Sequence, residues 1–118
     1  MITLVQIEKL RESVASILSE KRMKHVIAVE DMACHLGSIY FQDEEVLLLL
    51  RAAALLHDVT KEWSTERHAA FLKEHGITPT AMDLAAPKTL HAKTAALLIP
   101  EQYSEYASDE VISAVRYH

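Results

Sequence analysis

Only two glycines and three prolines occur among the 118 residues of this chain, and this scarcity of turn-forming residues limits the folds open to it. A β-sandwich or β-barrel needs a turn between each pair of short strands, so both architectures are disfavoured. Leucine and alanine together supply 31 residues, and both favour helix. We therefore predict an all-α fold.

Apolar residues recur at helical spacing and predict a single-domain bundle of about six helices over residues 1–118. The predicted helices cover 3–19, 22–40, 46–58, 65–75, 89–98 and 108–118, with a short helical turn over 79–86 ended by Pro87. Predicted N-caps are Asp43, Ser64 and Ser108, and Gly76 is the predicted stop of the fourth helix.

Two apolar stripes predict which faces of the first two helices are buried. The first stripe contains Leu4, Ile7, Val14 and Leu18, and the second contains Val29, Met32, Ala33, Leu36 and Tyr40. Cys34, the single cysteine, is predicted to be a small buried residue.

Composition also excludes several classes of partner. Seventeen acidic against twelve basic residues give a formal net charge of −5, which argues against a nucleic-acid surface. The most hydrophobic segment, Val46–Leu56, has eleven residues and includes Arg51, so it is too short and too charged to span a bilayer. One cysteine forms no internal disulfide. We expect a cytoplasmic protein that binds neither nucleic acid nor membrane.

Seven histidines are the unusual feature of the composition, and four of them are predicted to face the interior: His25, His57, His91 and His118. For any one alone, a hydrogen-bonded core histidine is the simpler interpretation. Together they lie among residues that offer no hydrogen bonds, at a cost of about 1–3 kcal/mol each. Asp58 adds a carboxylate at the negative end of an apolar helix. A bound cation would satisfy all of these groups, so we predict a metal centre in the helix core.

The other three histidines receive a different interpretation. His35 is predicted to be solvated on the polar side of the second helix. His68 and His75 lie about 10 Å apart along one helix, too far to share a metal. His75 is predicted to interact with the helix C-terminus.

The placement of these residues resembles the HD-domain metal-dependent phosphohydrolases, in which a histidine near a helix start precedes His-Asp at the end of an apolar helix. The more specific set is Arg22-Met-Lys-His25, Leu56-His57-Asp58-Val-Thr-Lys61-Glu62, Leu90-His91 and Arg116-Tyr117-His118. In order and spacing it looks like the YqeK-type subgroup of bacterial symmetrical diadenosine-tetraphosphate hydrolases. The resemblance covers residues 22–118.

This resemblance implies a two-metal centre bridged by Asp58, with His25 and His57 completing one site and His91 and His118 the other. Iron is the metal it favours, and manganese, zinc or magnesium remain open. It implies cleavage of diadenosine tetraphosphate, a nucleotide substrate, into two molecules of ADP. Asp58 and Lys61 are the implied catalytic residues, and Lys61, Arg22 and Arg116 are candidates for substrate binding.

One feature departs from the family pattern, which ends with a distal aspartate after Arg-Tyr-His. The sequence ends at His118, and neither Asp83 nor Asp109 fits that position. We therefore expect a chain shorter than its relatives, lacking one or more C-terminal helices, with exposed apolar surface that favours a homodimer. Three alternatives stay open: a phosphohydrolase acting on another nucleotide, a catalytically impaired HD domain that binds metal or nucleotide, and a purely structural helical domain.

Overall fold

The structure is a computed structural model that describes residues 2–86 and 89–117, and this part of the chain forms helices joined by turns and loops, with no strand. The elements are α1 (Leu4–Ile17), α2 (Glu20–Tyr40), α3 (Glu44–Leu56), α4 (Thr65–Glu74), α5 (Ala81–Ala85), α6 (Leu90–Gln102), a 3₁₀ turn (Ser104–Tyr106) and α7 (Asp109–Arg116). The all-α prediction is confirmed.

Side-chain caps fix where most of these helices begin. The side chains of Asp43, Ser64 and Ser108 each accept a backbone N–H from the first turn of the helix that follows, as predicted. Thr3 and Ser19 cap α1 and α2 in the same way, which the sequence interpretation missed. Because Ser19 is the cap, α2 begins two residues earlier than predicted.

Helix ends differ from prediction in two places. Gly76 follows α4 with φ +71°, a conformation open to glycine, and ends that helix as expected. In contrast, α6 continues through Pro100 to Gln102, four residues beyond the predicted end. Pro100 lies in the last turns of α6 and is exposed. Because proline has no backbone N–H, one helical hydrogen bond is lost there. Pro87, the predicted stop after α5, lies outside the described residues.

The hydrophobic core is built around α3, which packs against α1, α2 and α7, while α6 packs against α4 and α7. The core cluster includes Ile7, Leu10, Val14, Val26, Leu48, Leu55, Leu56, Leu98, Ile99, Val111 and Val115. Leu4, predicted to be inside, is instead 49% exposed, because the contacts of α1 begin one turn later. Cys34 is only partly buried.

The predicted buried face of α2 is wrong. Met32, Leu36 and Tyr40 are 58%, 46% and 76% exposed. The buried residues of α2 are Met23, Val26, Glu30 and Gly37. This face also has helical spacing, but its glutamate and its glycine do not look like core residues in a hydropathy pattern.

Gly37 and Glu30 explain why α2 turns this face inward. A Cβ atom on Gly37 would lie 2.7 Å from Leu47 Cδ2 and 2.9 Å from Leu50 Cδ1, so the missing side chain allows α3 to approach closely. Glu30 is 2% exposed, and its carboxylate accepts hydrogen bonds from Arg11 at 2.8 and 2.9 Å and from Arg51 at 2.9 Å. One buried carboxylate therefore ties α1, α2 and α3 together.

No helix in residues 2–86 and 89–117 is both long enough and apolar enough to cross a bilayer.

Candidate metal centre

Asp58 lies just beyond α3, in a segment of successive turns that leads to α4. Helix α3 ends at Leu56, and His57 is its C-cap. The backbone N–H of Lys61 donates to the Asp58 carbonyl at 3.0 Å, and that of Trp63 donates to Thr60 at 3.1 Å. The segment is held inside the protein, since Asp58 is only 3% exposed.

Three histidines from different parts of the fold point their Nε2 atoms at the Asp58 carboxylate. His25 Nε2, from α2, lies 3.6 Å from Oδ2. His57 Nε2 lies 3.4 Å and His91 Nε2, from the first turn of α6, lies 3.7 Å from Oδ1. Ligand atoms of His25, His57 and Asp58 all fall within 4.8 Å of one another. The predicted clustering of these four side chains is thus present in the fold.

The tautomer of His57 indicates what this cluster can bind. Its Nδ1 lies 2.5 Å from the Ala54 carbonyl oxygen, which can only accept, so Nδ1 carries the proton and donates. This bond turns Nε2 toward the Asp58 carboxylate, 3.4 Å away. In the neutral ring Nε2 carries the lone pair and is the atom that a metal ion would bind. Imidazole nitrogens around a carboxylate are the donor set of a divalent transition metal, so the residues fit such an ion.

The centre opens on the side of α2. His57 and His91 are each 9% exposed, whereas the His25 side chain is 50% exposed. The prediction that His25 points into the protein is therefore wrong. His25 lies on the apolar stripe of α2 that was predicted to be buried, whereas α2 buries a different face. The centre lies at the rim of the bundle, and His25 is the ligand candidate that borders solvent.

Arg22, predicted to contact substrate, lies beside the same carboxylate. Its Nη1 donates to Asp58 Oδ2 at 3.3 Å, and its side chain is 31% exposed. Because Arg22 precedes His25 by three residues on α2, the two side chains share one helix face. The guanidinium places a fixed positive charge at the open side of the centre.

Of the other residues predicted for the site, Lys61 and Arg116 lie farther from the Asp58 carboxylate, and His118 lies outside the described residues. Lys61 is half-buried, three residues after Asp58 in the same turn-rich segment. Arg116, at the end of α7, has its guanidinium carbon 5.0 Å from the centre of the Tyr117 ring. His118, implied as a ligand of the second metal, lies outside the described residues.

A buried chain of hydrogen bonds supports the centre from behind. The Thr60 hydroxyl donates to the His91 carbonyl at 3.0 Å, and the Thr94 hydroxyl lies 2.8 Å from Thr60 Oγ1. His68 Nδ1 lies 2.9 Å from Thr94 Oγ1. Burial, with a smaller effect of Arg67, lowers the pKa of His68, which favours the neutral ring. These bonds join the Asp58 segment to α6 and α4.

None of these supporting residues was predicted from the sequence. His68 is 3% exposed, and the sequence interpretation assigned it no role. Glu62 was noted only as part of a motif, yet its carboxylate accepts from the Ser19 backbone N–H at 2.7 Å and from the Ser19 hydroxyl at 2.6 Å. The hydrogen bonds from Ser19 lower the pKa of Glu62. They join the start of α2, and with it Arg22 and His25, to the segment that carries Asp58.

The remaining two histidines lie elsewhere. His35 is exposed, as predicted. His75 Nδ1 donates to the Phe71 carbonyl at 2.8 Å and Nε2 donates to Glu101 at 2.5 Å, which places the ring at the C-terminus of α4 as predicted.

Comparison with known proteins gave one match. The family model described as HD domain matches residues 22–118, a span that includes every candidate ligand and leaves α1 outside. No match was found among curated proteins or among solved structures.

Proposed function

The chain belongs to the HD-domain family, whose members are typically metal-dependent hydrolases, and from this premise we propose a phosphohydrolase that cleaves a nucleoside polyphosphate. The favoured substrate is diadenosine tetraphosphate, split symmetrically into two molecules of ADP. The observation that carries the proposal is the convergence of three histidine Nε2 atoms, each within 3.7 Å of a buried aspartate oxygen. The all-helical bundle fits the HD type.

We propose that His25, His57 and Asp58 hold one divalent ion and that Asp58, His91 and His118 hold a second. Iron is favoured, with manganese, zinc and magnesium as the alternatives. When bound, such ions supply Lewis acidity, which lowers the pKa of water and neutralises charge on phosphoryl oxygens. The hydrogen bond from His57 Nδ1 to the Ala54 carbonyl supports this assignment, because it orients the ring with Nε2 toward Asp58, and Nε2 is the nitrogen that would bind the ion.

Arg22 and Lys61 are proposed to bind the polyphosphate. Arg22 is already within 3.3 Å of the Asp58 carboxylate, so its planar guanidinium can reach a phosphate oxygen placed beside that carboxylate. Lys61 would add a point charge from the same turn-rich segment. Arg116 is the third candidate, at the end of α7 and next to the proposed ligand His118.

A second candidate function is an HD domain that binds metal or nucleotide without turnover. It is kept as a candidate because the two aspartates considered as a further ligand have other environments in the described structure. The Nζ of Lys93 lies 2.7 Å from Asp83 Oδ2. This contact and the hydrogen bonds with Thr80 lower the pKa of Asp83 to about 2, so this carboxylate is already paired. Asp109 lies exposed in the first turn of α7.

The test is reconstitution of the purified protein with ferrous iron or manganese, followed by assay of ADP release from diadenosine tetraphosphate and by metal analysis. We expect His57→Ala and Asp58→Ala to lose both bound metal and ADP release. His25→Ala and His35→Ala form a matched pair, because both histidines are exposed on α2 and only His25 faces Asp58. The first should bind metal more weakly and the second should behave as wild type.

The outcomes separate the candidates. ADP release that persists in His57→Ala and Asp58→Ala would contradict the proposal. Stoichiometric metal without turnover of any nucleoside polyphosphate would favour the binding domain. Only trace metal under all loading conditions would favour a structural helical domain.

A further inference from the structure

Helix α2 carries a continuous apolar surface that the rest of the described chain leaves exposed. We call it the α2 stripe and define it by Val29, Met32, Leu36, Ile39 and Tyr40. Four of these residues are largely exposed to solvent, with exposed fractions of 58% for Met32, 46% for Leu36, 61% for Ile39 and 76% for Tyr40. A shallow groove of about 390 Å³ runs along its first half, lined by Ala28, Val29, Met32, Ala33 and Leu36. Exposed apolar surfaces of this extent mark interaction sites in soluble proteins.

The spacing of the α2 stripe is that of a helix-pairing seam. Val29, Met32, Leu36 and Ile39 alternate at intervals of three and four residues, which is the a and d pattern of a heptad. Two alanines, Ala28 and Ala33, flank the seam and allow a second helix to come close. No Lys, Arg, Asp or Glu lies at any of these positions. The stripe is therefore suited to another helix of the same kind.

We propose that the α2 stripe is the interface between two copies of this chain, packed with their α2 helices antiparallel. The proposal needs neither metal nor substrate, and it stands apart from the proposed function.

The charges at the two ends of α2 select the antiparallel arrangement. Lys21 and Lys24 are exposed near its start, and Asp43, Glu44 and Glu45 are exposed just after its end. A two-fold axis between Met32 and Ala33 brings the basic start of α2 toward the acidic end of the partner's α2. A parallel pair would place like charges together at both ends, which is unfavourable. The antiparallel pair is thus complementary in charge as well as in apolar surface.

The exposed area is sufficient for a specific but weak dimer. At roughly 200 Å² for each large side chain, the exposed fractions of Met32, Leu36, Ile39 and Tyr40 amount to about 500 Å² per copy. The pair would bury at most about 1,000 Å² from these side chains, which is the lower bound for a specific interface, and the flanking alanines and charged ends add to it. We expect a dissociation constant in the micromolar range.

This arrangement brings the partner to the candidate metal centre. His25 precedes Val29 by four residues and continues the seam toward the start of α2. The same two-fold axis places the partner subunit's Tyr40 against His25. Since His25 is the half-exposed member of the cluster, the second copy would cover the open side of the centre.

The test is sedimentation velocity on the full 118-residue chain without metal, over a concentration series that reaches about 100 µM, well above the dissociation constant expected for a minimal interface. We expect the 13.3 kDa monomer to convert into a dimer as concentration rises. Leu36→Glu should remain monomeric while keeping its helical circular dichroism, because Leu36 is 46% exposed and lies outside the core cluster. Met82→Glu, at a residue 70% exposed on α5, is the matched control and should dimerise as wild type.

Charge reversal tests the orientation. Lys21→Glu and Glu44→Lys should each weaken dimerisation several-fold, and the double variant should restore it. In the wild type, the His25 ring resonances should shift with protein concentration, whereas those of His75 should not.

A wild-type chain that stays monomeric at 100 µM would overturn the proposal and would leave the α2 stripe to a different segment or protein. A dimer that survives Leu36→Glu would overturn it as well, since the interface would then lie elsewhere. Failure of the charge-reversed pair to recover, or an unchanged His25 ring, would overturn the antiparallel arrangement.

Discussion

Glu30 is a charged side chain at the centre of three helices, and its environment determines its ionisation. Burial alone would raise the pKa of Glu30, but the hydrogen bonds from Arg11 and Arg51 outweigh burial and lower it. A carboxylate whose pKa is lower in the folded state stabilises the fold above its unfolded pKa, about 4.3. That contribution is lost as the pH falls through the folded pKa.

We predict that Glu30→Gln lowers the free energy of unfolding by about 1–3 kcal/mol, because two arginines lose their counter-charge while the side-chain shape is kept. Urea denaturation at neutral pH measures the change. Glu12→Gln, at an exposed position on α1, is the control and should change stability by less than about 0.5 kcal/mol. Equal effects of the two substitutions would contradict the assigned role of Glu30.

Residue-level prediction succeeded where a residue conflicted with its own helix. Asp58 at the end of an apolar helix required a partner, and the structure provides three imidazoles and Arg22 around it. Glu30 gave no such signal, because a glutamate within a helix is ordinarily exposed. Its arginines are 19 and 21 residues away on other helices, a pairing that only the tertiary fold reveals.

Among the elements, α4 and α6 are joined by a histidine that responds to pH. The hydrogen bonds to the Phe71 carbonyl and to Glu101 raise the pKa of His75. Because the folded pKa lies above the unfolded value of about 6.5, the stabilisation is complete below that value. It is lost as the pH rises through the folded pKa.

We therefore predict that His75→Gln is less stable than wild type at about pH 5.5 and that the difference shrinks at about pH 9. The urea midpoint measured at both pH values checks this. His35→Gln, at an exposed position on α2, is the control and should show no such pH-dependent difference. A deficit of equal size at both pH values would indicate that the ring acts by packing rather than by charge.

Element prediction failed mainly on α2, for a physical reason that applies to many helices. α2 has two faces with helical spacing, and the more apolar of the two is the exposed one. A hydropathy analysis ranks the two faces by transfer free energy. The fold instead buries the face that contains Gly37, which α3 can approach closely. A periodicity analysis detects neither the close packing of leucine side chains on a glycine nor a paired buried charge.

At the scale of the whole molecule, α1 belongs to the folded unit although the family match begins at residue 22. Ile2, Ile7, Leu10, Val14 and Leu18 are all buried in the common core. The Tyr106 hydroxyl also donates to the Gln6 carbonyl at 2.7 Å, which ties α1 to the 3₁₀ turn. Prediction from sequence placed α1 correctly as a helix, but its attachment depends on partners that range from Glu30, 19 residues from Arg11, to Tyr106, a hundred residues from Gln6.

We predict that residues 22–118 alone do not unfold cooperatively. Five buried side chains at about 1.5–3 kcal/mol each approach the whole stability of a domain, about 5–15 kcal/mol. Near-ultraviolet circular dichroism of Trp63 during urea titration checks this. The full chain with Leu4→Ser, a 49% exposed position on α1, is the control and should unfold as wild type. A cooperative transition of the shortened chain at the wild-type midpoint would contradict the prediction.

The loop between α2 and α3 is only three residues long, so most of the candidate centre belongs to one local helix pair. His25, His57 and Asp58 all lie on this antiparallel helix pair and its exit, whereas His91 follows 33 residues later. Because chains are translated from the N-terminus, these three candidate ligands leave the ribosome before His91. A nascent chain can therefore bring part of the candidate centre together before α6 has emerged to close it.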